Sequence, residues 1–179
     1  MVGSATAPTI IVVMGVSGSG KTTLGRLLAG RRGQPFVEGD DLHPPENIAK
    51  MSAGEALDDE DRAPWLQAVS DVIRSATESG RGAVISCSAL RYDYRCLFRA
   101  AGPKVWFLYL ALDREVASAR AGRRTGHFMP VALLDSQFAA LEPLRDDEPG
   151  LTVDAVSGTE AIVDVAVAAL AEFEPQTPN

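Results

Sequence analysis

Apolar and polar positions alternate along this chain in two registers. Short β-branched runs with no polar interruption are followed by stretches in which apolar residues recur every three or four positions. Thr9 to Met14 is such a run, and its end at Gly15 predicts a buried strand. Lys21 to Arg32 carries Leu24, Leu27 and Leu28 on one face and meets Gly33, which predicts a helix with a glycine stop. Pro35 to Glu38 predicts a short second strand, and Glu46 to Met51 a short helix within a polar stretch running from Gly39 to Asp61. Asp61 to Ser79 is helical by the spacing of Trp65, Val69, Val72, Ile73 and Ala76, and Gly80 closes it.

The alternation continues to the end. Ala83 to Cys87, Lys104 to Leu110 and Leu151 to Val156 predict strands. Helices are expected at about Tyr92 to Ala101, at Arg114 to Arg123, after the polar break at Arg124 to Pro130 as far as about Leu141, and at Gly158 to Phe173. Strands alternating with helices predict right-handed crossovers and a five-stranded parallel sheet with helices on both faces, a three-layer α/β fold. With 179 residues and no internal repeat or linker, one domain is expected, with frayed ends at 1–8 and 175–179. Two polar stretches, 39–61 and 124–130, are too rich in special residues to be idle connectors.

The segment between the first strand and the first helix carries the firmest chemistry. Gly15-Val16-Ser17-Gly18-Ser19-Gly20-Lys21-Thr22 matches G-x-x-x-x-G-K-[ST], the phosphate loop of nucleotide-triphosphate enzymes. The glycines let backbone N–H groups turn inward around phosphate, and the new helix adds its positive dipole end. Lys21 suits the β- and γ-phosphates, and the Thr22 hydroxyl suits Mg²⁺. Gly15 to Thr23 is therefore the expected ATP site. The glycine spacing is not that of a dinucleotide fold. No Asn-Lys-x-Asp stands in the chain, which disfavours a GTPase, and a nucleotide-binding switch is the remaining alternative to a small-molecule kinase.

A phosphoryl acceptor needs a carboxylate to orient its hydroxyl and take the proton. Glu38-Gly39-Asp40-Asp41-Leu42-His43-Pro44 leaves the second strand at the ligand-binding edge, and Asp40 is the expected base, with Asp41 the alternative. His43 is either a substrate contact or a structural loop residue. Arg62 and Arg91 are candidates for an anionic substrate, with Arg95 a weaker third. For Arg62 the competing reading is an exposed pair with Asp58 or Asp59. Trp65 is expected to pack into the core, its indole N–H being the part that would line a polar site. The third strand ends in Ser86-Cys87-Ser88, without the Asp that many phosphate-loop proteins place there, so Mg²⁺ is expected on Thr22, phosphates and water. Arg120, Arg123 and Arg124 before Gly126-His127-Phe128 predict a lid at about 120–130.

Net charge narrows the partners. At -7 the chain is unsuited to non-specific nucleic-acid binding. No apolar run reaches the roughly 18 residues of a membrane span. Cys87 and Cys96 lack metal-ligand spacing and are expected as reduced thiols in a cytoplasmic protein.

Taken together, several segments resemble the gluconokinases. They are the phosphate loop, Gly39 to Pro44, Asn47 to Met51, Leu57 to Leu66, Cys87 to Arg91 with Tyr94-Arg95, Gly126 to Phe128, and Gln137-Phe138 with Leu141 to Pro143. They run in order over about residues 10–145. The resemblance implies transfer of the ATP γ-phosphate to the 6-hydroxyl of D-gluconate with Mg²⁺. It also implies a shikimate-kinase-like, nucleoside-monophosphate-kinase fold with a lid, and a homodimer. On this basis Lys21, Asp40 and Arg124 are the catalytic candidates, and Arg120 and Arg124 join the nucleotide site. Asp40, His43, Arg62, Arg91, Gly126 and His127 form the substrate set, with about 39–65 as the substrate-binding segment.

Overall fold

The computed structural model describes residues 7–121 and 131–174. In chain order the strands are β1 Ile10–Met14, β2 Phe36–Glu38, β3 Ala83–Ser86, β4 Val105–Ala111 and β5 Gly150–Asp154. The helices are α1 Lys21–Arg32, α2 Pro45–Ser52, α3 Asp59–Glu78, α4 Tyr92–Ala101, α5 Arg114–Ala121, α6 Val131–Ala140 and α7 Thr159–Phe173. A 3-10 turn at Gly39–Leu42 joins β2 to α2. All pairings are parallel, in the order β2-β3-β1-β4-β5.

β1 lies at the centre because each of its residues has an apolar destination. Ile11 and Val13 enter a core with Leu24 and Leu28 of α1 and Ile162, Val163, Ala166 and Leu170 of α7. Ile10, Val12 and Met14 enter the opposite core with Trp65, Val69 and Ile73 of α3 and Phe98 of α4. All five are fully buried, as expected of a parallel strand covered on both faces. The sheet thus has two separate apolar layers, and its polar chemistry is left to the strand ends.

Chain direction reverses beside β1: α1 carries the chain to β2 on one side, and α4 carries it from β3 to β4 on the other. In open parallel sheets this is where ligands bind, beyond the carboxyl ends of the strands. α3 begins at Asp59, two residues earlier than its apolar spacing predicts. Asp58 caps it by accepting from Asp61 N at 2.8 Å, and Asp61 returns a bond to Asp58 N at 2.9 Å. This reciprocal capping extends the helix into acidic residues that read as loop.

Candidate active site

The phosphate loop leaves β1 with Gly15 at φ +146°, a conformation that side-chain-bearing residues rarely adopt. A Cβ there would also lie 2.9 Å from Leu110 O and from Ser19 Oγ. Gly20, left-handed at φ +94°, caps α1 and turns its first N–H groups toward the loop's interior. Two tertiary contacts hold the loop from outside. Gln137 of α6 accepts from Ser17 N at 2.7 Å, and Arg120 of α5 donates to Gly18 O at 3.3 Å and to Ala155 O at 3.2 Å. Lys21 Nζ lies across the loop, 3.0 Å from Val16 O. Ser19 Oγ is buried and has no hydrogen-bond partner among the described residues. An orphaned hydroxyl inside a glycine-rich cradle fits a phosphate oxygen as its missing partner. Thr23 is exposed on the first turn of α1.

Thr22 donates its hydroxyl proton to Glu38 Oε2 at 2.6 Å, and the other carboxylate oxygen of Glu38 accepts from Ser86 Oγ. The pairing of β2 with β3 sets Glu38 directly beside Ser86, which explains the bridge. Glu38 therefore supplies the acid that the end of β3 lacks. Glu38 was not among the residues expected from the sequence, with Thr22 the single expected protein ligand.

Gly39 follows, so close to β3 that a Cβ would lie 2.2 Å from Ser86 O. Only glycine fits, and the contact delivers Asp40 to the strand ends. Asp40 is exposed, yet its charge acts on the buried Cys87 thiol and on His43. The thiol is pushed up to about 12, by burial first and then by Asp40. Lys21 and Glu38 also act on that thiol, so the charges of Lys21, Glu38 and Asp40 all reach the end of β3. Cys87 itself is neutral and buried, a packing residue.

His43 stacks on Trp65 with ring centroids 4.5 Å apart and planes 10° from parallel. Trp65 is buried, and its indole N–H donates to Gly39 O at 2.8 Å, so that group is engaged with the backbone and does not line a polar site. Burial, above all, lowers the pKa of His43; Asp40 opposes the shift and Arg62 reinforces it.

Arg62 and Arg91 meet on one carboxylate. Arg91 binds Asp59 at 2.7 Å, Arg62 stands 3.6 Å from it, and Tyr94 donates its hydroxyl to it at 2.6 Å. The Tyr94 bond, then the Arg91 bond, hold the Asp59 carboxyl below its ordinary range. Arg62 thus lies beside His43 and Asp59 at once, linking the acidic turn to the arginine cluster. Arg95 is a correction. It is fully buried and paired with Glu148 at 2.7 Å, so it is excluded from the substrate set. Arg124, Gly126 and His127, with Arg123 and most of the expected lid, lie outside the described residues.

A phosphate loop, a Thr22–Glu38 pair and an acidic turn thus stand at one edge of the sheet, with Arg62 and Arg91 paired on Asp59 of α3. The family model described as shikimate kinase matches residues 17–148, more than half of the chain. The chain is 45% identical to a gluconokinase of Gluconobacter oxydans over 88% of each chain. It is 49% identical to the thermosensitive gluconokinase of Escherichia coli, covering 80% of this chain and 77% of that one. The chain belongs to the gluconokinase family. A crystal structure of a gluconokinase from Sinorhizobium meliloti superposes with a TM-score of 0.84 at 46% identity, covering 93% of both chains. Gluconokinases are ATP-dependent kinases that phosphorylate a hydroxyl, and the fold here is the phosphate-loop kinase fold expected from the alternation of strands and helices.

Proposed function

We propose that the chain transfers the γ-phosphate of ATP to the 6-hydroxyl of D-gluconate, giving 6-phospho-D-gluconate and ADP. The reading is supported by the charges of Asp40 and Lys21, which both act on Cys87 at the end of β3, and by that of Asp40, which also acts on His43, in a chain of this family. In this reading Gly15 to Thr23 and Arg120 hold the nucleotide, and Lys21 meets the transferring phosphoryl group. Asp40 orients the acceptor hydroxyl and takes its proton, while Arg62 and Arg91 hold the substrate carboxylate. Arg124, Gly126 and His127 belong to a lid at about 120–130 that closes over both.

The residues at Thr22 fit Mg²⁺. A hydroxyl oxygen whose proton is committed to Glu38 presents its lone pairs outward, beside a carboxylate. Mg²⁺ prefers a few protein oxygens, completed by phosphate and water. Among the described residues no cluster of three His, Cys, Asp or Glu side chains could hold a metal by itself. When bound, the cation would neutralise phosphate charge; Thr22 would ligate it and Glu38 would orient Thr22 and bound water. Glu38→Gln is expected to weaken the apparent Mg²⁺ affinity in turnover by about tenfold or more, as loss of such supporting groups does. A magnesium titration of the variant checks this, and an unchanged midpoint removes Glu38 from that role.

The same reading takes the chain as one kinase domain, with 39–65 as its substrate-binding segment. It works as a homodimer in the cytoplasm. Supporting the location, no described helix is long and apolar enough to cross a membrane, and Cys87 and Cys96 are free thiols. An ADP-release assay over a panel of sugar acids, shikimate and nucleotides tests the function. Turnover is expected with D-gluconate. Activity on shikimate or another polyol with none on gluconate overturns the substrate; nucleotide binding without any acceptor-dependent turnover overturns the kinase.

A further inference from the structure

We propose that Asn47 is a positioning residue that locks His43 in its Nε2–H tautomer, so that the imidazole meets the acceptor as a hydrogen-bond donor and leaves proton removal to Asp40. The proposal rests on the kinase reading above and adds to it a division of labour between two side chains.

Asn47 lies in α2 and is only 3% exposed. Its Nδ2 donates to Asp61 O at 2.7 Å and lies 3.3 Å from His43 Nδ1. A backbone carbonyl can only accept, so the Asn47 atom facing Asp61 is the amide nitrogen; a flipped amide would set oxygen against oxygen. One of the two amide hydrogens serves Asp61 O, and the other points to Nδ1. A ring nitrogen that accepts carries no proton, so the neutral ring carries its proton on Nε2.

Stacking holds the plane of the ring, and the contact with Asn47 sets Nδ1 on that side. Trp65 covers one face, and Trp65 is itself pinned to Gly39 O. Nε2 has no hydrogen-bond partner among the described residues, which leaves its N–H for a ligand. The charged groups acting on the ring are Asp40 from the 3-10 turn and Arg62 from α3. Lys50, on the same helix as Asn47, is engaged by Asp61 at 2.5 Å. Burial outweighs Asp40 and, with Arg62, keeps the ring neutral at neutral pH. An Nε2–H group has no lone pair in the ring plane, so His43 cannot take the acceptor's proton there. It can donate to a hydroxyl oxygen and orient it toward Asp40.

Long-range proton–nitrogen correlation spectra of the ¹⁵N-histidine-labelled protein read the tautomer directly. The chain has two histidines, and His43→Gln assigns the signals. The expected result is an unprotonated Nδ1 and a protonated Nε2 for His43 at neutral pH. An Nδ1–H tautomer or an imidazolium overturns the proposal with no variant needed. Asn47→Asp places an acceptor opposite Nδ1 and is expected to move the proton there, off Nε2. The acceptor KM should then rise about tenfold, the scale of one lost hydrogen bond to substrate, with the ATP KM unchanged. If Asn47→Asp does not fold, Asn47→Ser removes the same bond and is expected to give mixed tautomers with the same KM split. A moved proton with an unchanged acceptor KM also overturns the proposal. Failure of the gluconate reading is distinct: it is missing gluconate turnover in the parent protein, with the KM then read for the acceptor that the panel identifies.

Discussion

Asp40→Asn is expected to lower acceptor-dependent turnover by about two to four orders of magnitude, the range for losing a positioned general base. The substitution keeps size and hydrogen-bonding shape but cannot take a proton. Gly39 fixes the backbone of the turn by its contact with Ser86 O, so the side chain at position 40 should stay where it is. The phosphate loop is anchored separately, through Gln137 and Arg120, so ATP affinity should remain within a few-fold of the parent. Loss in kcat with nucleotide affinity retained is the signature of a group acting in the transition state. Stopped-flow or steady-state turnover with calorimetric ATP binding measures both quantities. Turnover within tenfold of the parent would transfer the role to Asp41, whose charge acts on neither Cys87 nor His43.

The donor half of the site was legible in the sequence because its information is local. An apolar β-branched strand, three glycines and a helix closed by Gly33 lie within 25 consecutive residues, Ile10 to Gln34. The bounds of α1 agree with expectation to the residue, since a glycine in the left-handed conformation stands at each end. The acceptor half was only partly legible because its contacts are tertiary. Glu38 reads as the last residue of a short strand; its role arises from parallel pairing that sets it beside Ser86 and below Thr22. Arg95 was misread for a different reason. Four residues from Arg91, it looks like a neighbour on one helical face. Yet Arg91 is the extended residue that precedes α4, at φ -102° and ψ 145°, so helical spacing does not relate the two. Arg91 turns to Asp59 at the surface, and Arg95 enters the core.

That burial makes Arg95→Met the largest expected loss of stability. Arg95 and Glu148 are both 0% exposed and joined by two bonds, Nε to Oε1 at 2.7 Å and Nη2 to Oε2 at 2.9 Å. The remaining guanidinium hydrogens go to Ala89 O, Leu90 O, Glu142 O and Pro143 O. The pair thus staples the loop after β3 to the segment between α6 and β5. Ala89 needs the staple most: at φ +45° it holds a left-handed conformation unfavourable for any residue with a Cβ. Methionine fills much of the volume but leaves Glu148 buried without its cation, which typically costs about 3–5 kcal/mol. For a chain of this size that corresponds to a melting temperature lower by roughly 10 °C. Replacing both partners, with Arg95→Met and Glu148→Leu, removes the stranded charge and should recover much of the loss, because a buried pair contributes little over a well-packed apolar one. The recovered double variant then separates fold from function. Ala89 and Leu90 directly precede Arg91, so without the staple the folded protein should still show a raised gluconate KM. Thermal unfolding followed by circular dichroism, with kinetics on the double variant, reads both effects. A melting temperature for Arg95→Met within a few degrees of the parent would mean that Glu148 finds another partner or takes up a proton.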